Sequence, residues 1–228
     1  MVFTLLQRVI LVIFLLPLCT ESVKGETVDI NTLGRIHTFF HENYEIGQYA
    51  VAINVPKEQC QANFSPSKKN FLKDDKGENV KNIIKNDINP VYKGTELIAA
   101  GVQRNPYTAH SEFLLLSSPL TYLLNKGKDR CVVFYTLNSP CINTCLSGKY
   151  NIKPGVDKLQ SYQGMKAFVF TNIWTHDQDR KKVLKEKLKL IADSVPLFRC
   201  KNKRSCVLCG KPGSKEINEM CLNNENKV

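Results

Sequence analysis

Two short segments hold the residue types with the greatest chemical reach. Thr108-Ala109-His110-Ser111-Glu112 sets an imidazole two positions before a carboxylate. Ser139-Pro140-Cys141-Ile142-Asn143-Thr144-Cys145 sets two thiols four positions apart, just after the apolar run Cys131 to Leu137. Ser139 suits a helix N-cap and Pro140 the first helical position. The spacing therefore predicts a helix with Cys141 in its first turn and Cys145 one turn on, on the same face. A helix N-terminus favours negative charge and biases both thiols toward thiolate. Two thiolates are half of a tetrahedral zinc site. His110 as third ligand would leave one position open, as in catalytic zinc sites, where the metal acidifies water. Glu112 is placed to serve there as general base and acid.

The joint order of these parts resembles the cytidine-deaminase-like superfamily, whose pattern is His-x-Glu followed by Pro-Cys-x-x-Cys. Thr108-Ala109-His110-Ser111-Glu112 looks like the zinc helix of the tRNA adenosine deaminases. Tyr135-Thr136-Leu137-Asn138-Ser139-Pro140-Cys141 looks like the strand-to-helix turn of the polynucleotide cytidine deaminases, the activation-induced deaminase/APOBEC-like group. The resemblance covers residues 28–199. It implies that Zn2+ is held by His110, Cys141 and Cys145, that Glu112 shuttles protons, and that the reaction is hydrolytic deamination of a cytosine-type base. One departure stands out: this chain has three residues between the cysteines where the family usually has two. Spacing of four along a helix still keeps both sulfurs on one face.

The elements that must position these residues follow from apolar periodicity. Residues 28–44 read as a helix, 48–55 and 95–102 as strands, and 57–93 as a long polar excursion, helical around Val80 to Ile84. A helix starts near Thr108, with Pro119 bending or ending it. Cys131 to Leu137 and Met165 to Ile173 read as central strands, residues 178–193 as an amphipathic helix, and Val195 to Phe198 as a short fifth strand. The expected fold is α/β: a mixed five-stranded sheet with helices on both faces, cytidine deaminase-like and disulfide-containing. The helix before the fifth strand makes that strand parallel to the fourth. In the superfamily this arrangement goes with polynucleotide substrates. Asn105 and Tyr107 before the zinc helix, Ser139, and Trp174 after the fourth strand are the expected substrate contacts. Arg180, Lys181, Lys182, Lys185, Lys187 and Lys189 crowd one helix and would form either a solvated face or a phosphate track.

The chain begins as an exported protein would. Arg8, the apolar run Val9 to Leu16, and small residues at Ser22 and Gly25 read as a signal peptide, too short to span a bilayer. The expected division is 1–25 signal peptide, 26–199 deaminase-like domain, and 200–228 Cys/Lys-rich C-terminal tail. Export to an oxidising compartment makes Cys60, Cys131, Cys200, Cys206, Cys209 and Cys221 disulfide candidates. Asn63-Phe64-Ser65 is a glycosylation sequon. The net charge of +11 suits a polyanion without choosing one. Expected partners are a nucleoside or a single-stranded nucleic acid, with no stable membrane partner. Two other classes stay open: a non-catalytic secreted binder of polyanions with a structural or vestigial zinc site, and a disulfide-stapled protein in which Cys141 bonds Cys145.

Overall fold

A computed structural model describes residues 27–201 and 205–225. The expected signal peptide, with Cys19, lies outside the described residues. The order of elements is α1 (Ile30–Tyr44), β1 (Tyr49–Val55), α2 (Gly77–Ile84), β2 (Val91–Lys93), β3 (Leu97–Gly101), α3 (Ser111–Leu116), α4 (Ser118–Leu124), β4 (Cys131–Asn138), α5 (Lys153–Ser161), β5 (Met165–Asn172), α6 (Lys181–Ala192), β6 (Leu197–Lys201) and β7 (Ser205–Gly210). The strands form one mixed sheet in the order β2-β3-β1-β4-β5-β6-β7. Its central strand is β4, antiparallel to β1 on one side and parallel to β5 on the other, with β6 parallel to β5. As expected, α6 is the crossover into the parallel β6.

Side chains alternate across the strands, so the sheet separates two cores. Ala50, Ala52, Val132, Phe134, Phe168 and Phe170 pack under α3, α4, α5 and α6. Tyr49, Val51, Ile53, Val133, Tyr135 and Val169 pack under α1 and α2. Asp29 starts α1 by accepting the Thr32 N–H at 2.8 Å, and Leu33, Ile36, Phe40 and Tyr44 then fall on its buried stripe.

The sheet has seven strands where the sequence predicted five. The additions are β2, only three residues long, and β7, which pairs antiparallel with β6 as Cys200↔Cys206 and Arg199↔Val207. The helix expected from Thr108 begins at Ser111 and breaks at Ser117, whose ψ of −128° ends α3; Pro119 then sits in the first turn of α4. The helix expected over Cys141 to Cys145 does not form. That segment is a single turn, and the crossover helix between β4 and β5 is α5.

Among the described residues, three disulfides pair the six cysteines outside the metal motif: Cys60–Cys131, Cys200–Cys206 and Cys209–Cys221. The first joins residues 71 positions apart, and closing a loop of that length stabilises the folded state by about 4 kcal/mol in the chain-entropy account. The segment after β7 is tied down by Arg199, which is fully buried. Its guanidinium donates to the carbonyls of Thr171, Met220 and Asn223 and to the Asn224 side chain. Asn63 is exposed in a turn, at a positive φ of 70° that asparagine tolerates. Among the described residues, no helix is long and apolar enough to cross a membrane.

Candidate metal centre

The site forms at the C-terminal end of β4, where strand ends and loops converge. Because β1 runs antiparallel to β4, the residue before β1 arrives there too. Ala50 faces Thr136 in register, which sets Gln48 across from Asn138. The β5 end contributes Trp174, and α3 lies over the same face, carrying Glu112.

His110, Cys141 and Cys145 converge. The two sulfurs are 3.3 Å apart, and His110 Nδ1 lies 3.5 Å from Cys141 Sγ and 3.4 Å from Cys145 Sγ. A tetrahedral zinc with bonds of about 2.0–2.3 Å separates its ligand atoms by roughly 3.3–3.8 Å. The donor set and its near-equilateral spacing therefore fit a zinc ion, and among the described residues this is the one His/Cys/Asp/Glu group so disposed. Both cysteines are free thiols, which removes the Cys141–Cys145 disulfide. The longer spacing is absorbed by one tight turn, in which the N–H groups of Cys145 and Leu146 both donate to the Cys141 carbonyl at 3.1 Å.

Electrostatics divide the two thiols. The hydrogen bond between the sulfurs, followed by that from His110, pulls the Cys141 thiol far below its ordinary pKa; the same shared proton, with burial, holds Cys145 up. His110 is raised by its hydrogen bond to Cys141, against the opposing effect of burial.

Ser139 was expected to cap the cysteine turn and does not. Its hydroxyl accepts the Trp174 N–H at 3.0 Å, and its own N–H donates to Asn172. The capping carboxylate is Asp177, buried in the turn after β5, which accepts the Ile142 N–H at 2.9 Å. Burial raises the Asp177 pKa, while the Ile142 N–H works in the opposite direction.

Glu112 is 1% exposed, and burial raises its pKa. Its Oε1 accepts from Thr136 Oγ1 at 2.9 Å and from Gln48 Nε2 at 3.2 Å, and its Oε2 accepts from Ser111 Oγ at 3.2 Å. Asn138 donates to the Gln48 carbonyl oxygen and so turns the Gln48 N–H toward Glu112. The carboxylate borders a pocket of about 220 Å³ whose wall includes Gln48, Arg104, His110, Asn138, Cys141 and Trp174.

Of the expected substrate contacts, Ser139 and Trp174 line this pocket. Asn105 and Tyr107 do not; they sit in the exposed loop before His110, with Tyr107 stacked on Tyr150 at ring centroids 6.1 Å apart. Sequence reasoning missed Gln48, Thr136 and Asp177. Their residue types are ordinary, and only the β1–β4 register and the β5 turn bring them to the site. Of the two readings of the basic residues on α6, the structure favours the solvated face over the phosphate track: Lys181 pairs with Glu219, Lys185 with Glu216 and Lys189 with Asp193.

A family model described as Secreted Novel AID/APOBEC-like Deaminase 1 matches residues 33–225. No curated protein and no solved structure matches the chain.

Proposed function

The chain belongs to the family of secreted novel AID/APOBEC-like deaminases, and on that premise we propose that it is an exported, zinc-dependent hydrolytic deaminase of cytosine-type bases, acting on an unpaired base in a single-stranded nucleic acid. The observation that carries this reading is the meeting of the His110/Cys141/Cys145 triad with the Glu112 carboxylate on one small pocket. A binder with a purely structural metal has no use for a buried carboxylate oriented by Thr136 and Gln48 beside the ligands.

His110, Cys141 and Cys145 would hold the zinc, which when bound would supply an acidified water near neutral pH. Glu112 accepts a proton from the attacking water and delivers it to the ring nitrogen beside the amine-bearing carbon; it then takes the second proton, from the new hydroxyl on that carbon, and delivers it to the departing amine. Water and cytosine become uracil and ammonia. Thr136 and Gln48 hold Oε1 of Glu112 fixed during this transfer. At about 220 Å³ the pocket is below the roughly 300–1,000 Å³ of drug-sized ligand sites, which suits one heterocycle and not a stacked pair. A base in a duplex must therefore leave its stack to react.

The three disulfides suit an oxidising compartment. The test is to incubate the purified protein with cytidine, adenosine and cytosine-containing single strands, and to measure released ammonia and converted base. Uracil formation from the single strand is the expected result. Zinc-loaded, folded protein that converts none of the three would replace this reading with the non-catalytic one.

A further inference from the structure

Two sets of cations stand out on this basic chain. Those on α6 mostly face carboxylates. On the other face of the sheet, a cavity of about 650 Å³ beside α1 and α2 is lined by Lys68, Lys73, Lys76, Lys81 and Lys85. All but Lys81 are exposed, and none of the five forms an ion pair with a described residue. Three carboxylates line the same cavity, those of Glu42, Asp75 and Glu78. Asp75 is already committed to Tyr92 Oη and to the N–H groups of Thr95 and Glu96. The groove is left with a net positive charge.

We propose that this lysine-lined groove binds the phosphates of the single strand whose reacting base occupies the 220 Å³ pocket. The proposal rests on the polynucleotide part of the function above and adds a site to it. Continuity along the chain supports the assignment. Tyr44 lines the groove and Gln48 the pocket; four residues reach at most about 14 Å. Lys85 lines the groove, and Asp87 just beyond it grips Arg104 of the pocket wall, its carbonyl accepting the Arg104 N–H at 2.9 Å and its carboxylate the guanidinium at 2.7 Å. A strand of roughly 4–16 nucleotides, the footprint of basic single-strand grooves, covers both places. A free nucleoside reaches only one.

The experiment measures binding of a labelled cytosine-containing oligonucleotide by fluorescence anisotropy over a range of salt. The fourfold variant Lys68→Gln/Lys73→Gln/Lys76→Gln/Lys85→Gln alters exposed side chains only, and circular dichroism verifies its fold. Its affinity at low salt should fall about tenfold or more, and the log–log salt slope should flatten by about 0.7 for each phosphate that the lysines no longer neutralise. The control Lys182→Gln/Lys187→Gln on α6 should change neither. Wild-type affinity and slope in the fourfold variant, or equal losses in the control, would overturn the groove while leaving the polynucleotide reading intact. A heparin fragment that loses affinity for the fourfold variant while the oligonucleotide does not would assign the groove to sulfated glycans instead. Wild-type protein that binds no oligonucleotide at any salt removes the polynucleotide reading, and the groove assignment with it.

Discussion

Gln48 donates its side-chain N–H to Glu112 Oε1 at 3.2 Å, joining the residue before β1 to a carboxylate 64 positions later. The bond is directional because Asn138 occupies the carbonyl end of the same amide. Gln48 therefore acts through Glu112, as a positioning residue. Gln48→Leu should lower kcat by roughly 10–100-fold, the usual cost of losing an orienting partner, with a smaller change in KM and with zinc content retained. Steady-state kinetics on a single-stranded substrate check this. A rise in KM at constant kcat would make Gln48 a substrate contact.

Glu112→Gln keeps the shape of the side chain but removes its ability to take and return a proton. The deamination rate should fall by about 10²–10⁴, while metal analysis still finds about one zinc per chain. Activity within twofold of the wild type would exclude Glu112 from the proton transfers.

Asp177 holds the cysteine turn by accepting the Ile142 N–H, the amide next to Cys141. Asp177→Ala leaves that buried donor unpaired and loosens the turn that brings Cys145 onto the same side as Cys141. Zinc affinity should drop roughly 10–100-fold, read by competition with a chelator. Cys145→Ser should be more severe, because it removes a donor atom outright. Equal chelator resistance in wild type and Asp177→Ala would show that the turn holds its shape without the cap.

The parts of the fold legible in the sequence were those with strong periodicity. In α1, β1, β4, β5 and α6, buried side chains recur at helical or alternating spacing, and their types need no partner to be recognised. β7 was not legible. Its sequence, Ser-Cys-Val-Leu-Cys-Gly, is half-buried through most of its length at the sheet edge, and its place depends on pairing with β6. α5 was missed because only Gly155, Val156 and Leu159 of its nine residues are buried, too few to set a period. The metal triad could be read because each ligand sits in a local motif. Gln48, Thr136 and Asp177 could not, since their roles are created by strand register and a distant turn. Ser139-Pro140 gave a helix-start signal that the chain uses differently, with Ser139 bonded to Trp174 and the segment ending after one turn.

Arg199 is the clasp of the C-terminal segment. It donates to three carbonyls and one side-chain oxygen between β5 and residue 224. Arg199→Met preserves much of the volume but removes every donor. At about 1 kcal/mol per net hydrogen bond, unfolding by urea should show a loss of about 3 kcal/mol or more, and the segment after β7 should become sensitive to protease. A loss below about 1 kcal/mol would mean that the Cys209–Cys221 disulfide holds the segment without the arginine.

His37 makes stability depend on pH on the face of the sheet away from the metal centre. It is 4% exposed, its Nε2 lies 2.9 Å from Thr171 Oγ1, and its Nδ1 has no partner among the described residues. Burial, with His41 beside it, pulls its pKa down to about 3. In the unfolded chain the ring titrates near about 6.5. Above that pH both states are neutral at this ring, and its contribution to stability does not vary. Below it, the unfolded chain takes up a proton that the native state refuses, so stability declines steadily as pH falls toward about 3. At pH of about 5 the loss assigned to this ring is about 2 kcal/mol. Denaturant unfolding of wild type at neutral and mildly acidic pH gives the total slope, and the same measurement on His37→Gln gives the slope without this group. The difference should be that of about one proton. Identical slopes in the two proteins would mean that the native state protonates His37, through rearrangement of the His41–Tyr135–Thr171 cluster around it.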